Sequence, residues 1–366
     1  MKRKEILFTI FTWVVILYSL NFICGLIVKN RYIALEPNDQ RSAAASYGYF
    51  KPNQDRILLF SGHPDYHVKI NAMGLRTTGL DDRLKYSDIE NRYKILCVGD
   101  SFTFGLFLNN ENTYPYMLQQ ALLKDHKEAV VLNAGIGSTT ILDHLHYLKV
   151  KGLSLKPNLV ILNFYDNDLI ELGEWRNPLY GRMIDENKFS LAKTIKLAKF
   201  MRIFRRMELA VRYRRSTNKI KDERVREVLF SQSRDLEDVL YVTAVDRGLI
   251  LTDPYHDELK PAWDRYFKAL DEMAALLKAN HVDFLYIIYP SIYTVFDRGQ
   301  NNYQGILKSY LEARAIEYID LQPRLKAQKD EYKKLYNNLP RDFHLSLYGN
   351  TFLIDEIYKK IKNRIP

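Results

Sequence analysis

The sequence has few cysteines and no metal-binding pattern. Its two cysteines are Cys24, within a long apolar segment, and Cys97, within a short apolar run, so we predict no disulfide. His144 and His146 are two residues apart, which places them on different faces of a helix, and no cysteine or carboxylate spacing completes a zinc site. We therefore expect neither a disulfide-stabilised fold nor a metal centre, and no motif indicates a cofactor.

A nucleic-acid-binding motif is also missing, although the formal net charge is +10. Thirteen Lys or Arg but only four Asp or Glu lie between residues 193 and 230. The positive charge is thus concentrated in one segment, and the rest of the chain is nearly neutral. We therefore expect no nucleic-acid partner.

Charge is absent from residues 6–28, which read ILFTIFTWVVILYSLNFICGLIV. A helix of this length, at about 1.5 Å per residue, spans a bilayer core of roughly 30 Å, so we predict a transmembrane signal anchor. A cleaved signal peptide is the alternative, but the apolar stretch exceeds the usual core of about 7–15 residues and no small-x-small site follows it. Lys2, Arg3 and Lys4 place the tail, residues 1–5, in the cytoplasm. The rest of this single-pass protein is then periplasmic or extracellular.

The chain after residue 28 divides into two parts. Residues 29–92 contain short alternating runs punctuated by Gly, Pro and Asn, which predicts a β-rich lead-in packed on the next domain. In residues 93–366 apolar runs alternate with helical patterns. The runs that we predict to be strands are 95–98, 129–133, 159–164, 284–289 and 316–320. This alternation indicates an α/β fold, a three-layer α/β/α domain with a mostly parallel five-stranded sheet.

Polar candidate residues follow the strands of this sheet. GDSFTFG, with Ser101, follows the first strand; NAGIGS, with Gly137, follows the second; and YDNDL, with Asn167, follows the third. RDFHLSLYGN, with His344, comes near the C-terminus. Because parallel sheets place their functional residues beyond the carboxyl ends of the strands, we expect these residues to meet at one site.

These residue types suit nucleophilic catalysis by a serine. A serine hydroxyl becomes nucleophilic when a base takes its proton; His344 is the candidate base, and Asp342 the candidate to fix its tautomer. The backbone N–H groups of Ser101 and Gly137 and the amide of Asn167 are candidate donors to a developing oxyanion. Each residue alone also fits an ordinary turn or helix cap. Their joint placement favours catalysis.

The arrangement resembles the SGNH hydrolases, also called the GDSL-like lipase/acylhydrolase family, from about residue 93 to the C-terminus. GDSFTFG, YDNDL and DFHLSLYGN match the blocks that carry the family's nucleophile, oxyanion asparagine and histidine, here Ser101, Asn167 and His344. The resemblance implies a flavodoxin-like sheet and ester hydrolysis. INAMGLR ahead of the first block, together with the N-terminal anchor, resembles a membrane-anchored bacterial subgroup.

Two positions depart from the family pattern. The glycine block often reads N-x-G-x-x-G, whereas NAGIGS has Ser138 at the last glycine and Gly137 one position earlier. Either backbone N–H could serve as the oxyanion donor, and we favour Gly137. The last block is often D-x-x-H, but Arg341 occupies the expected position and leaves Asp342 in a D-x-H arrangement.

An insertion at about residues 173–261 extends a minimal version of the fold. Within it, residues 191–215 combine an apolar face with a strongly basic face, as an interfacial helix does. One interpretation is a helix packed on the domain with its Lys and Arg in solvent. The other is contact with a membrane surface or an anionic polymer.

We therefore expect a membrane-anchored serine esterase acting on O-acyl esters. By resemblance, O-acetyl groups of cell-envelope carbohydrate are the leading substrate class, and phospholipid esters are a further one. The first alternative is an O-acetyltransferase of an envelope polysaccharide, since the acyl-enzyme can pass its acyl group to a sugar hydroxyl. The second is a catalytically silent carbohydrate-binding protein, against which the intact Ser101, Asn167 and His344 argue.

Overall fold

The computed structural model describes residues 3–28, 35, 48–60, 62–80, 85–172, 202–298 and 303–366. The first element is helix α1 (Arg3–Val28), which carries charged residues in its first turn and large exposed apolar side chains from Ile6 to Leu20. Within these described ranges, no helix is long and apolar enough to cross a membrane. The structure therefore does not support the predicted transmembrane span over residues 6–28.

The lead-in forms a two-stranded antiparallel hairpin beside the main sheet. Strand β1 (Gln54–Leu58) pairs with β2 (Tyr66–Ile70), and the short helix α2 (Tyr86–Ile89) follows. The hairpin buries a small apolar cluster together with Phe104 of the next domain. The segment after β2 runs along an edge of the main sheet, where Thr78 Oγ1 donates a hydrogen bond to the Val131 carbonyl at 2.8 Å.

Five parallel strands form the central sheet, in the order β4-β3-β5-β6-β7. Their bounds are β3 (Tyr93–Gly99), β4 (Ala129–Gly135), β5 (Leu159–Phe164), β6 (Asp283–Ile288) and β7 (Glu317–Asp320). The predicted five-stranded parallel sheet is thus confirmed. The chain leaves β3 towards β4 and then returns to the other side at β5. The carboxyl ends of β3 and β5 therefore flank the point where the strand order reverses, which is where such sheets bind ligands.

The apolar runs are continuous because both faces of the sheet are covered. Leu96 and Val98 of β3 belong to one buried cluster, whereas Ile95 and Cys97 belong to the other. The helices after α2 are α3 (Ser101–Phe104), α4 (Tyr114–Lys124), α5 (Ile141–Val150), α6 (Asn167–Leu172), α7 (Arg202–Thr217), α8 (Glu223–Ser231), α9 (Leu236–Arg247), α10 (Leu249–Thr252), α11 (Lys260–Ala279), α12 (Ile292–Val295), α13 (Tyr303–Ala313), α14 (Gln322–Lys326), α15 (Tyr332–Leu335) and α16 (Leu347–Ile361). Helices α5, α11 and α13 cover the first face, and α4, α8, α9 and α16 cover the second.

The described part of the insertion packs on the domain through α8 and α9. Val225 and Val228 of α8 and Val239 of α9 are buried in the second cluster. Of the predicted basic helix, residues 191–201 lie outside the described residues and the rest falls in α7. Helix α7 buries Leu209 but leaves Val211 about half exposed.

A second hairpin follows the sheet. Strand β8 (Tyr336–Asn338) pairs antiparallel with β9 (Asp342–Leu345), and α16 begins directly afterwards. This hairpin carries the predicted histidine, which therefore stands on a strand.

Candidate active site

Ser101 begins α3 directly after β3, and its surroundings fix that turn. The carboxylate Oδ1 of Asp100 accepts hydrogen bonds from the backbone N–H of Phe102 and from Asn163 Nδ2, both at 2.9 Å. These bonds cap α3 and tie it to β5. A Cβ added to Gly99 would lie 1.8 Å from Asn163 Oδ1, so only glycine allows β3 to pass so close. Asp100 and Gly99 thus shape the turn that presents Ser101.

The structure brings Ser101, His344 and Asp342 together in one hydrogen-bonded chain. Ser101 Oγ lies 2.7 Å from His344 Nε2, and His344 Nδ1 lies 2.5 Å from Asp342 Oδ1. Alternate residues of a strand point to the same side, so the D-x-H spacing on β9 places both side chains on one face. The shorter spacing brings the two side chains together because the pair lies on a strand.

The electrostatics of this chain favour an ionised aspartate. Burial would raise the pKa of Asp342, but the charge and hydrogen bonds of His344 outweigh that effect and hold the pKa below its usual value. A carboxylate bonded to Nδ1 leaves Nε2 of a neutral imidazole without its proton, ready to accept one from the serine hydroxyl.

His63 of the lead-in stands beside this chain and was missed by sequence reasoning, because no motif surrounds it. Its ring stacks on Phe107 with centroids 3.9 Å apart, and the Phe107 ring meets the His344 ring edge-on at 5.9 Å. His63 Nδ1 lies 3.1 Å from Asn338 Nδ2. Burial lowers the pKa of His63 to about 4, against the opposing charge of Asp342. His63 is therefore neutral at pH 7.

The glycine block passes beside the serine. A Cβ added to Gly137 would lie 3.9 Å from Ser101 Cβ, so this backbone is close to the hydroxyl that would react. Ser138 has a φ of 62°, in the left-handed region that favours glycine. The family glycine at this position therefore fits the local backbone, and the chain adopts the same conformation with a serine.

Asn167 is the first residue of α6 and is nearly fully buried. Its Nδ2 donates to Glu171 Oε1 at 3.2 Å, one helical turn later, while its Oδ1 has no hydrogen-bond partner among the described residues. Burial raises the pKa of Glu171 to about 7, and the bond from Asn167 opposes that rise. Glu171 therefore orients the amide that the sequence assigns to the oxyanion hole.

A buried ion pair holds the segment before Asn167. Arg247, at the end of α9 in the insertion, lies with its Nε 2.9 Å from Asp166 Oδ1, and both side chains are almost fully buried. Burial raises the pKa of Asp166 to about 6, and the Arg247 charge opposes the rise. The guanidinium also lies 5.3 Å from the centre of the Tyr165 ring. The insertion thus contacts the loop that carries the candidate oxyanion amide.

Arg76 of the INAMGLR segment connects the lead-in to the loop after Ser101. Its guanidinium is buried and donates to the carbonyls of Phe104 at 2.7 Å, Gly105 at 2.8 Å and Leu108 at 2.5 Å, and to Asn110 Oδ1 at 3.0 Å. Burial lowers its pKa to about 10, so it remains charged at pH 7. The motif was visible in the sequence, but its partners are distant along the chain.

The site has the parts that acyl transfer needs: a hydroxyl bonded to an imidazole, a carboxylate behind it, and a backbone turn and an amide nearby. Within the described residues, no group of three or more His, Cys, Asp or Glu side chains is placed to hold a metal ion.

Comparison with known proteins gives one family. The model of the GDSL-like Lipase/Acylhydrolase family matches residues 97–351, and no curated protein matches the chain. Among solved structures, the lipase/acylhydrolase from Enterococcus faecalis is 14% identical, with a TM-score of 0.41, over 75% of this chain and 97% of that one. The acetyl xylan esterase AlAXEase is 16% identical, with a TM-score of 0.39, over 73% and 99% of the two chains.

A further similar structure is that of a two-domain esterase active on acetylated mannans, which is 12% identical with a TM-score of 0.41, over 76% of this chain and 51% of that one. The family model covers well over half of the sequence and includes Ser101, Asn167 and His344. The chain belongs to the GDSL-like lipase/acylhydrolase family and is a hydrolase that acts on ester bonds.

Proposed function

We propose that the protein is a serine esterase in which Ser101 is the nucleophile, His344 the general base and acid, and Asp342 the residue that orients His344. The observation that carries this proposal is the continuous chain of contacts, 2.7 Å from Ser101 Oγ to His344 Nε2 and 2.5 Å from His344 Nδ1 to Asp342 Oδ1. All three residues are almost fully buried, and the low dielectric constant of a buried site strengthens their electrostatic interactions.

The proposed reaction has two acyl-transfer steps. In the first, Ser101 Oγ attacks the ester carbonyl carbon while His344 Nε2 takes the hydroxyl proton, and the carbonyl oxygen becomes an oxyanion. When this intermediate collapses, the C–O bond to the alcohol breaks and His344 returns the proton to the leaving oxygen. In the second step, water attacks the acyl-Ser101 ester in the same way and releases the acid.

The oxyanion is stabilised by donors that surround Ser101. We assign this role to the backbone N–H groups of Ser101 and Gly137 and to the side-chain amide of Asn167. The position of Gly137 beside Ser101 Cβ supports its part in the assignment. Loss of one such donor typically costs about 3–4 kcal/mol of transition-state stabilisation.

We further propose that the acyl group is short, with acetyl as the leading candidate. The ring of Phe102 lies 4.5 Å from that of His344 and is itself packed against Tyr165 and Tyr289 at 4.3 and 4.7 Å. These rings enclose the imidazole on one side, and the preference for acetyl itself comes from the sequence resemblance. Four points stay predictions of the sequence. They are envelope carbohydrate as the alcohol, acyl transfer to a sugar in place of water, a catalytically silent binding role, and the membrane location of the anchor.

Labelling of the full chain with a fluorophosphonate tests the assignment of the nucleophile. The parent protein should be labelled and should hydrolyse p-nitrophenyl acetate, and Ser101→Ala should do neither. Ser87→Ala, which removes an exposed serine hydroxyl in α2, serves as the matched control and should retain labelling. Labelling that persists in Ser101→Ala would exclude Ser101, and a folded parent that is never labelled would favour the silent binding protein.

A further inference from the structure

A cleft of about 610 Å³ opens where three distant parts of the chain meet. The lead-in contributes Phe60 and His63, the insertion contributes Tyr213, Arg214 and Phe230, and the second hairpin contributes Arg341. This volume is within the range of about 300–1,000 Å³ typical of small-ligand sites. The cleft depends on the insertion, so it is a feature of this chain beyond the minimal fold.

The cleft lies on the histidine side of the candidate active site. Arg341 directly precedes Asp342, and its Nη1 donates to the Gly62 carbonyl at 2.9 Å. His63, which lines the cleft, stacks on the Phe107 ring that in turn meets the His344 ring. One aromatic ring therefore separates the cleft wall from the imidazole.

This side is where the alcohol of the ester belongs. In the proposed mechanism the leaving oxygen takes its proton from His344 Nε2, so the alcohol must lie next to that imidazole. The oxyanion donors assigned to Gly137 and Asn167 fix the carbonyl oxygen elsewhere around Ser101. A group that binds in the cleft therefore continues from the alcohol oxygen rather than from the acyl chain.

The lining has the chemistry of a sugar site. The side chains of Phe60 and Phe230 are 44% and 38% exposed, and such rings pack against the C–H faces of a pyranose. Arg214 and Arg341 provide hydrogen-bond donors, and the Arg341 guanidinium is held 4.4 Å from the centre of the Tyr213 ring.

The charge of the lining favours an anionic sugar. The lining contains two arginines, Arg214 and Arg341, and one carboxylate, that of Asp65. His63 adds no charge at pH 7, because burial lowers its pKa to about 4. An arginine guanidinium matches a carboxylate in a two-pronged hydrogen-bonded geometry that a hydroxyl cannot reproduce.

We infer that this cleft binds a sugar of the glycan that carries the acyl group, beyond the acylated sugar itself, and that this glycan has carboxylate groups. The inference rests on the proposed esterase function, because it uses the position of the leaving alcohol beside His344. The ester is thus cleaved with its acyl group at Ser101 and its glycan extending between the lead-in and the insertion.

The test compares two acetyl esters on the full chain: O-acetylated oligogalacturonides, which carry carboxylates, and p-nitrophenyl acetate, which has no sugar. Phe230→Ala and Arg214→Ala should each raise KM for the oligogalacturonides about tenfold, and kcat/KM for p-nitrophenyl acetate should stay within about twofold. Unchanged hydrolysis of p-nitrophenyl acetate also shows that each variant is folded.

Two control variants match these changes outside the cleft. Arg215→Ala removes an exposed arginine next to Arg214, and Tyr255→Ala removes an exposed ring elsewhere on the surface. Both should leave the two substrates unaffected.

Three results would overturn the inference. One is an unchanged KM for the oligogalacturonides in both cleft variants, and another is an equal loss on both substrates. The third concerns Arg214→Ala alone: an equal KM rise on O-acetylated xylo-oligosaccharides, which carry no carboxylate, would exclude the anionic class. A failure of the proposed esterase function is distinguishable from these results, because Ser101→Ala would then retain p-nitrophenyl acetate hydrolysis.

Discussion

Asp342 and His344 stand two residues apart on one β-strand, and their side chains meet at 2.5 Å on the face that is turned towards Ser101. A strand repeats its side-chain direction every second residue, so the D-x-H spacing is sufficient to form the pair. In the neighbouring hairpin strand, Asn338 pairs with Asp342 and Tyr336 with Leu345, on either side of a register shift.

Asp342→Asn should lower kcat/KM for p-nitrophenyl acetate by about 10²–10⁴-fold, because an amide at this position favours the wrong imidazole tautomer. Steady-state kinetics on the purified full chain measures this loss. The double variant Asp342→Asn/His344→Ala should be no slower than His344→Ala alone, since residues that act as one unit are non-additive. A loss of kcat/KM in the double variant equal to the product of the two single losses would contradict the coupling of Asp342 and His344.

Arg76→Met should lower the free energy of unfolding by about 3–5 kcal/mol, because several buried carbonyls lose their donor at once. Arg76→Lys should recover little, since an ammonium cannot reproduce the guanidinium fork that contacts Phe104, Gly105 and Leu108. Urea unfolding measures both. Arg92→Met, at an exposed arginine, is the control and should change stability by less than about 0.5 kcal/mol. Full recovery by lysine would show that charge alone is needed.

Removal of the Arg247 guanidinium alone should lower the free energy of unfolding more than removal of both charges of the Arg247–Asp166 pair. Arg247→Met leaves the Asp166 carboxylate buried beside Asp246 without its cation and should cost about 3–5 kcal/mol of unfolding free energy. The double variant Asp166→Asn/Arg247→Met should be less destabilised than Arg247→Met, because the fully buried charge of Asp166 is removed as well. A double variant that is as unstable as the sum of the two single variants would contradict this coupling.

Glu171→Gln should change how stability depends on pH. The folded-state pKa of Glu171 is raised to about 7 from its usual 4.5, mainly by burial, so the folded protein binds more protons than the unfolded chain between these values. Its contribution to stability therefore falls as pH rises from 4.5 to 7. The ionisable groups that interact with it include Asp100, Asp143, Asp168 and Arg247.

The gain in Tm from Glu171→Gln should accordingly be larger at pH 8 than at pH 5, as thermal unfolding at both values will show. Glu128→Gln, at an exposed glutamate, is the control and should give the same small change at both. A gain from Glu171→Gln that is larger at pH 5 would contradict the assignment.

The parts of the fold that the sequence predicts are those set by local pattern. The five strands were predictable because each is a short apolar run between helical stretches. Strands β3, β4 and β5 are almost wholly buried, whereas the edge strand β7 buries only Ile319. Ser101, Asn167 and His344 were predictable because each stands in a motif, and the sheet topology brings the ends of β3 and β5 together.

Residues whose role depends on distant contacts were not predictable. Arg76 and His63 act across the boundary between the lead-in and the domain, and Arg247 reaches Asp166 from the insertion. A single sequence has no signal for such pairs, because each partner alone is an ordinary polar residue. The span predicted over residues 6–28 rests on hydropathy alone, and among the described residues no helix is long and apolar enough to cross a membrane.

In the proposed mechanism Ser101 carries the acyl group during turnover. This step is tested by mixing the full chain with p-nitrophenyl acetate, stopping the reaction in acid within milliseconds, and measuring the mass of the peptide that contains Ser101. A gain of one acetyl group on that serine is expected, and it should be absent in Ser101→Ala. Hydrolysis at the normal rate with no acetyl group on Ser101, or with the acetyl group on another residue, would contradict it.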